Sequence, residues 1–277
     1  MRFGVSSYAY RYAVASTMAS EGTLAAALHV LARSAAAGAE VVQFCDNVPL
    51  DTLVADELAR VAQEAASSGL AIDVGTRGIA LRRLRHYLTL AEDLGSRALR
   101  LVLDSDDLSA IEGNLSAILP DLACKEIPLA IENHSDLTGP ALASLVERLG
   151  GEATYVGICL DTANSLGLLE RPLETAAVLA PLALQAHVKD YAVERASIGY
   201  RITGRSLGRG WLDLDGLARI LGPRLAGLDL YVEQWMDPAE DAPGTLAREE
   251  AWVAESLAVL RGWAVETTRR HEDRAYR

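Results

Sequence analysis

Basic residues are in deficit. Among 277 residues, 26 lysines and arginines face 38 aspartates and glutamates, a formal charge of −12. Proteins whose main partner is nucleic acid carry a basic face that releases counterions, so the deficit argues against a polyanion partner. Cysteine is scarce as well. Cys45, Cys124 and Cys159 are odd in number, far apart and set in apolar stretches, which predicts reduced core thiols in a reducing compartment rather than a disulfide framework. No uninterrupted apolar run reaches membrane-spanning length. The opening "MRFGVSSYAY" lacks the basic start, apolar stretch and small-residue cleavage site of a secretory signal. The expectation is a cytoplasmic protein that engages neither membrane nor nucleic acid.

What is present is a rhythm. Short β-prone runs, "RFGVSSY", "AEVVQFCD", "AIDVGTR", "ALRLVLDS", "LAIENH", "VGICLD", "LQAHVKD" and "LYVEQW", alternate with longer Ala/Leu-rich segments such as "TLAAALHVLARSAAAGA" and "DELARVAQEAASSG". Apolar residues in the longer segments recur at three and four, the spacing of a helix face, and Gly38, Gly69, Gly95 and Gly150 fall where a left-handed C-cap favours glycine. Strands alternating with helices imply a parallel sheet, and runs such as "ALRLVL" read as apolar on both faces, as parallel strands require. Eight such units match a (β/α)₈ TIM barrel, class α/β, as a single domain. An open dinucleotide-binding sheet would more naturally place a glycine-rich turn after the first strand, and "VSSYAYRY" has none. The barrel is expected over residues 1–266, with 267–277 as a charged, frayed tail whose His271 belongs to no site.

In such a barrel the active site lies at the C-terminal ends of the strands. Four neighbouring strand ends carry groups able to bind a metal: Glu132 in "AIENH", Asp161 in "ICLDTAN", His187 in "QAHVKD" and Glu233 in "YVEQW". Strand alternation sends Glu132 and His134 to one side, as it does His187 with Lys189 and Glu233 with Trp235. Three converging carboxylates repel one another, and a divalent cation is the usual way to keep them ionised. Carboxylate oxygens and one imidazole suit manganese first, then magnesium, cobalt or zinc. Tyr8, Tyr10, Asp46, Asn47 and Arg77 end the early strands and are candidate pocket residues, whereas His29 and His86 lie in helical runs and are read as surface or packing residues.

The set "IENH", "CLDTAN", "HVKD", "GRSLGRGWLDLDGL" and "VEQW" resembles the xylose-isomerase-like barrels, the sugar isomerases and epimerases, along the whole chain. The resemblance implies that Glu132, Asp161, His187 and Glu233 hold one divalent metal and that the two glutamates move protons beside a carbonyl. It also places His134 beside the metal, orienting Glu132 or the substrate, and matches Lys189 and Asp190 to an H-x-K-D segment. Two positions depart from the pattern. Asn164 stands where many relatives have a histidine, and an amide cannot act as an acid near neutral pH. The epimerase arginine that follows the metal-binding histidine has no clear match in "YAVERAS", where Arg195 is displaced.

The expected enzyme acts on a small keto-sugar or sugar acid through a metal-stabilised enediolate, as an isomerase or epimerase first. Glu132, Glu233 and Lys189 are its catalytic residues, with His134, Asn164, Asp190, Tyr8 and Trp235 at the substrate. The alternative is a decarboxylase of a β-keto sugar acid of the 3-oxo-isoapionate kind. The long segment before "WLDLDGL", with Arg201, Arg205 and Arg209, reads as a lid bringing a guanidinium over an anionic substrate, which puts Arg201 and Arg209 among the substrate contacts. A repair endonuclease would need more than five histidines and a basic track. No organic cofactor is expected, and the sequence leaves homo-oligomer formation open.

Overall fold

Strands that are apolar on both faces need cover on both, and closing the sheet on itself supplies one of the two. In the computed structural model, which describes residues 1–275, eight parallel strands close into a barrel. They are β1 (Phe3–Ser6), β2 (Val41–Phe44), β3 (Ala71–Arg77), β4 (Leu99–Val102), β5 (Leu129–Glu132), β6 (Val156–Asp161), β7 (Ala183–Val188) and, after a hairpin of β8 (Asp190–Arg195) and β9 (Tyr200–Arg205), β10 (Asp229–Val232). The closed order is β1-β2-β3-β4-β5-β6-β7-β10, and the chain belongs to the (β/α)₈ class.

Helices cover the outside: α1 (Arg11–Glu21), α2 (Thr23–Ala36), α3 (Ala55–Ser67), α4 (Leu81–Asp93), α5 (Leu108–Lys125), α6 (Gly139–Arg148), α7 (Pro172–Leu179), α8 (Leu214–Leu221) and α9 (Ala242–Ala275). In α4 the buried residues Leu84, Tyr87, Leu88 and Ala91 recur at helical spacing and face the barrel, while charged residues face water. Each leucine so buried contributes about 1.5–3 kcal/mol. Asp107 and Asp213 cap α5 and α8 by accepting backbone N–H groups that have no partner within the helix. None of the helices is long and apolar enough to cross a membrane.

Parallel register sets the level of the future site. Glu132 lies opposite Cys159, Asp161 opposite His187, and Tyr231 opposite His187. The ends of β5, β6, β7 and β10 therefore arrive at one rim. At the other end Arg2 pairs with Asp73 and Asp229, and the Tyr231 hydroxyl donates to Asp73, closing the barrel floor.

Three expectations change here. Residues 267–275 continue α9 rather than forming a frayed tail, and 276–277 lie outside the described residues. Cys45 and Cys159 are buried thiols, but Cys124 is exposed on α5. The lid segment is an antiparallel hairpin, with Asp190 paired to Arg205 and Arg195 to Tyr200. Asp190 anchors its return, accepting from the backbone of Tyr191, Gly208, Gly210 and Leu212 at 2.8–2.9 Å. That carboxylate, expected at the substrate, is consumed by the loop and is not among the residues that line the cup.

The hairpin sits on the residues that follow β10. Gly204 donates its N–H to the Trp235 carbonyl at 3.0 Å, and a Cβ on Gly204 would stand 2.2 Å from that oxygen. Gly204→Ala is expected to cost about 1–3 kcal/mol by overpacking. A fall in the urea midpoint at unchanged slope is the readout, and an unchanged midpoint would show that the hairpin is not seated as described.

Candidate active site

Glu132 ends β5, Asp161 ends β6, His187 is next to last in β7, and Glu233 follows β10. All four are buried, and His187 is wholly so. His187 Nδ1 lies 3.4 Å from Glu132 Oε2 and 3.0 Å from Glu233 Oε2. Atoms of Asp161, His187 and Glu233 come within 4.8 Å of one another. Asp161 Oδ2, His187 Nδ1 and Glu233 Oε2 make no hydrogen bond despite full burial.

Two buried cations hold this cluster together. Arg100 of β4 donates from Nε to Glu132 Oε2 at 2.5 Å and from Nη1 to Asp46 Oδ1 at 3.0 Å. Lys189 Nζ lies 2.6 Å from Glu233 Oε1 and 2.9 Å from Asp161 Oδ2. It also donates to Asn164 Oδ1 at 3.0 Å, and its charge stands 5.1 Å from the centre of the Trp235 ring. Asn164 Nδ2 donates to Glu132 Oε1 at 2.8 Å, so this amide bridges the two halves of the cluster.

The ionisation of each group follows from these neighbours. Burial alone pushes Glu132 up, but Arg100 and His187 outweigh it and hold the carboxyl below its ordinary range. Glu233 is held well below that range against the same burial, by Lys189 and His187. For Asp161 burial wins over Lys189, and its carboxyl is raised. Burial pulls Lys189 down, yet Asp161, Glu233 and Glu132 draw it further up, so it stays an ammonium. Burial also lowers His187, while Cys159, Glu132 and Glu233 raise it well above the ordinary imidazole range.

The pocket thus calls for positive charge in front of Nδ1, from a proton or from a divalent ion that displaces it. His187 Nε2 donates to Gln43 Oε1 at 2.6 Å in the tautomer that turns an Nδ1 lone pair toward the carboxylates. Three atoms without hydrogen bonds, two carboxylate oxygens and that nitrogen, converge beside Glu132, and the donor set fits a divalent ion.

Above the cluster opens a cup of about 380 Å³. Tyr8, Arg11, Arg77, Arg100, Glu132, His134, Asn164, Lys189, Glu233 and Trp235 line it. Tyr8 donates to Asp46 Oδ2 at 2.9 Å. Of the other early-strand candidates, Tyr10 is buried in the core, and Asn47 is tied to Ser7. His134 does not orient Glu132, a task that Arg100 and Asn164 perform; it stands on the rim with Nδ1 3.0 Å from Ser135 Oγ. Arg201 and Arg209 are not at the cup. They are largely exposed and pair with Glu194 and Asp237, and with Glu255, respectively, because the hairpin turns them outward.

Arg100, Gln43 and Arg11 were not singled out in the sequence. Arg100 and Gln43 each carried a signal, a polar side chain in the middle of an apolar strand, where burial demands a partner. Arg11 carried none.

A family model described as "Xylose isomerase-like TIM barrel" matches residues 31–263. The chain is 32% identical over 269 residues to a 3-oxo-isoapionate decarboxylase of Pectobacterium atrosepticum, covering 94% of this chain and 95% of that protein. The fold resembles that of a D-psicose 3-epimerase crystallised with D-fructose, with a TM-score of 0.70 at 14% identity over 95% of this chain and 99% of that one. It also resembles a xylose isomerase-like barrel from Mycobacterium smegmatis in complex with magnesium, with a TM-score of 0.65 at 15% identity over 84% and 89%.

Binding to the folded chain alone stabilises it by about 2.7 kcal/mol when the ion is present at roughly 100 times its dissociation constant. Manganese chloride added to chelator-treated protein is expected to raise the melting temperature, and Asp161→Asn to remove most of the rise. Equal shifts in both proteins would show that the ion binds elsewhere.

Proposed function

Because the chain belongs to the xylose isomerase-like TIM barrel family, we propose that it is a divalent-metal-dependent decarboxylase of a β-keto sugar acid. One observation carries this choice over epimerisation. Both oxygens of Glu132 already accept hydrogen bonds, Oε1 from Asn164 and Oε2 from Arg100, which leaves Glu233 Oε2, turned toward His187 Nδ1, as the one oxygen of the two glutamates without a hydrogen bond among the described residues. Epimerisation at a carbon beside a carbonyl needs a carboxylate free to take a proton on one face and an acid to return it on the other. Decarboxylation needs no such base. The bond from the α carbon to the carboxylate breaks, carbon dioxide leaves, and the electron pair stays behind as an enediolate conjugated with the neighbouring keto oxygen. One proton then returns to that carbon. The similarity to a decarboxylase along nearly the whole chain supports the same order.

Asp161, His187 and Glu233, whose ligand atoms lie within 4.8 Å of one another, would hold the ion together with Glu132, whose Oε2 is 3.4 Å from His187 Nδ1, manganese first in our reading. When bound, such an ion supplies Lewis acidity that draws electron density from a keto oxygen. The other roles belong to side chains. Lys189, a buried ammonium lining the cup, places fixed positive charge where negative charge develops. Trp235 walls the cup beside it. Asn164 keeps Glu132 and Lys189 in register, and Tyr8 faces the substrate from the opposite wall. His134 at the rim carries an imidazole able to give the returning proton. The proposed setting is cytoplasmic, with Cys45 and Cys159 kept as thiols.

Release of carbon dioxide from 3-oxo-isoapionate and related β-keto sugar acids, compared with interconversion of D-psicose and D-fructose, tests the assignment. The expected result is gas release without ketose interconversion, with kcat lowered about 10²- to 10³-fold by Lys189→Met. Ketose epimerisation without carbon dioxide would overturn it.

A further inference from the structure

A sugar acid needs a place for its carboxylate, and the cup floor is a poor one. Glu132, Asp161 and Glu233 crowd it with carboxylates, its two side-chain cations are committed, Arg100 to Glu132 and Asp46, and Lys189 to Glu233 and Asp161, and an ion held there would serve the keto oxygen. The hairpin arginines are engaged outside: Arg201 Nη2 lies 3.1 Å from Glu194, Arg209 Nε lies 2.9 Å from Glu255, and Arg205 pairs with Glu194. Two guanidinium groups remain on the cup wall, Arg11 at the start of α1 and Arg77 at the end of β3. Arg77 uses Nε for Asp46 Oδ2 at 3.3 Å, and its charge also acts on Asp136 without an ion pair to it. Arg11 lies over the Tyr12 ring at 5.1 Å and makes no ion pair among the described residues.

We infer that Arg11 and Arg77 form the carboxylate subsite of the cup, recognising the group that leaves as carbon dioxide. This rests on the sugar-acid reading of the site. Partial exposure suits the task. A carboxylate that must shed its charge is retarded by a tight, dry ion pair, because that pair stabilises the ground state more than the transition state. The Arg77 side chain is 40% exposed, so its attraction is screened by water; it draws the anion in and turns it away from the floor without locking its charge. The same two residues make the cup selective. Neutral ketoses lose nothing when these charges are removed, whereas sugar acids lose their anchor.

Titration calorimetry of the manganese-loaded protein with erythronate and with its neutral counterpart erythrulose reads the subsite without turnover. Wild type is expected to prefer erythronate. Arg11→Gln and Arg77→Gln are each expected to weaken erythronate about three- to tenfold and to leave erythrulose unchanged. Arg77→Gln also removes one of the partners that Asp46 shares among Tyr8, Arg77 and Arg100, so Arg11→Gln, which breaks no ion pair, is the cleaner variant, and Arg77→Lys should recover part of the loss. No preference for erythronate in wild type, no loss in Arg11→Gln, or equal loss of both ligands would overturn the subsite. A wild type that prefers erythronate and loses that preference in the variants, yet releases no carbon dioxide from keto acids, would support the subsite and sink only the decarboxylase reading.

Discussion

Three carboxylates buried at one end of a barrel repel one another, and none can return to water without opening the fold. Glu132, Asp161 and Glu233 are in that position, and the local structure is arranged around making their charge tolerable. Arg100 rises from β4 to meet Glu132 and Asp46, and Lys189 from the end of β7 to meet Asp161 and Glu233. Removing one partner from a buried pair of this kind typically costs about 3–5 kcal/mol, because the other charge is left behind. The cations are as much a part of the fold as of the site. They do not complete the balance, since Glu233 Oε2 and His187 Nδ1, 3.0 Å apart, still have no hydrogen bond among the described residues.

That arrangement bears directly on chemistry. A carboxylate wrapped by a guanidinium and an amide is fixed in place and poorly disposed to pull a proton from carbon. Asn164 is the amide that wraps Glu132 and at the same time touches Lys189. The amide brings no acid–base group to the site and ties the carboxylate down. This is the arrangement on which the proposed decarboxylation rests, since there the carbon–carbon bond supplies the electrons. The early part of the chain then acquires a purpose, since Tyr8, Arg11 and Arg77 bring hydrogen-bonding and positive groups to a cup whose floor is crowded with carboxylates.

The barrel was legible because period-two strands and helical spacing alternate with few interruptions. Glu132, Asp161, His187 and Glu233 were legible because strand ends in a barrel are neighbours in space however distant in sequence, and the register of β5, β6, β7 and β10 brings them together. Arg100 was hidden inside "ALRLVL", where a single arginine passes for noise in an apolar run until its two carboxylate partners, from other strands, are known. Arg201 and Arg209 misled for the opposite reason. Charge composition identified a basic loop, but the antiparallel pairing of β8 with β9 decides where its side chains point. Asp190 likewise follows the strand that carries His187 and is used up by four backbone N–H groups. The end of α9 was misread because a charged, aperiodic run can still extend a helix whose preceding turns are packed.

Everything proposed for this cup depends on Glu132, Asp161, His187 and Glu233 sharing one cation. Anomalous diffraction at the manganese edge, from crystals grown with manganese, tests that most directly. A single peak contacted by His187 Nδ1 and by oxygens of the three carboxylates is the predicted result. A map with no peak there, or with the ion bound away from the ends of β5, β6, β7 and β10, would contradict it.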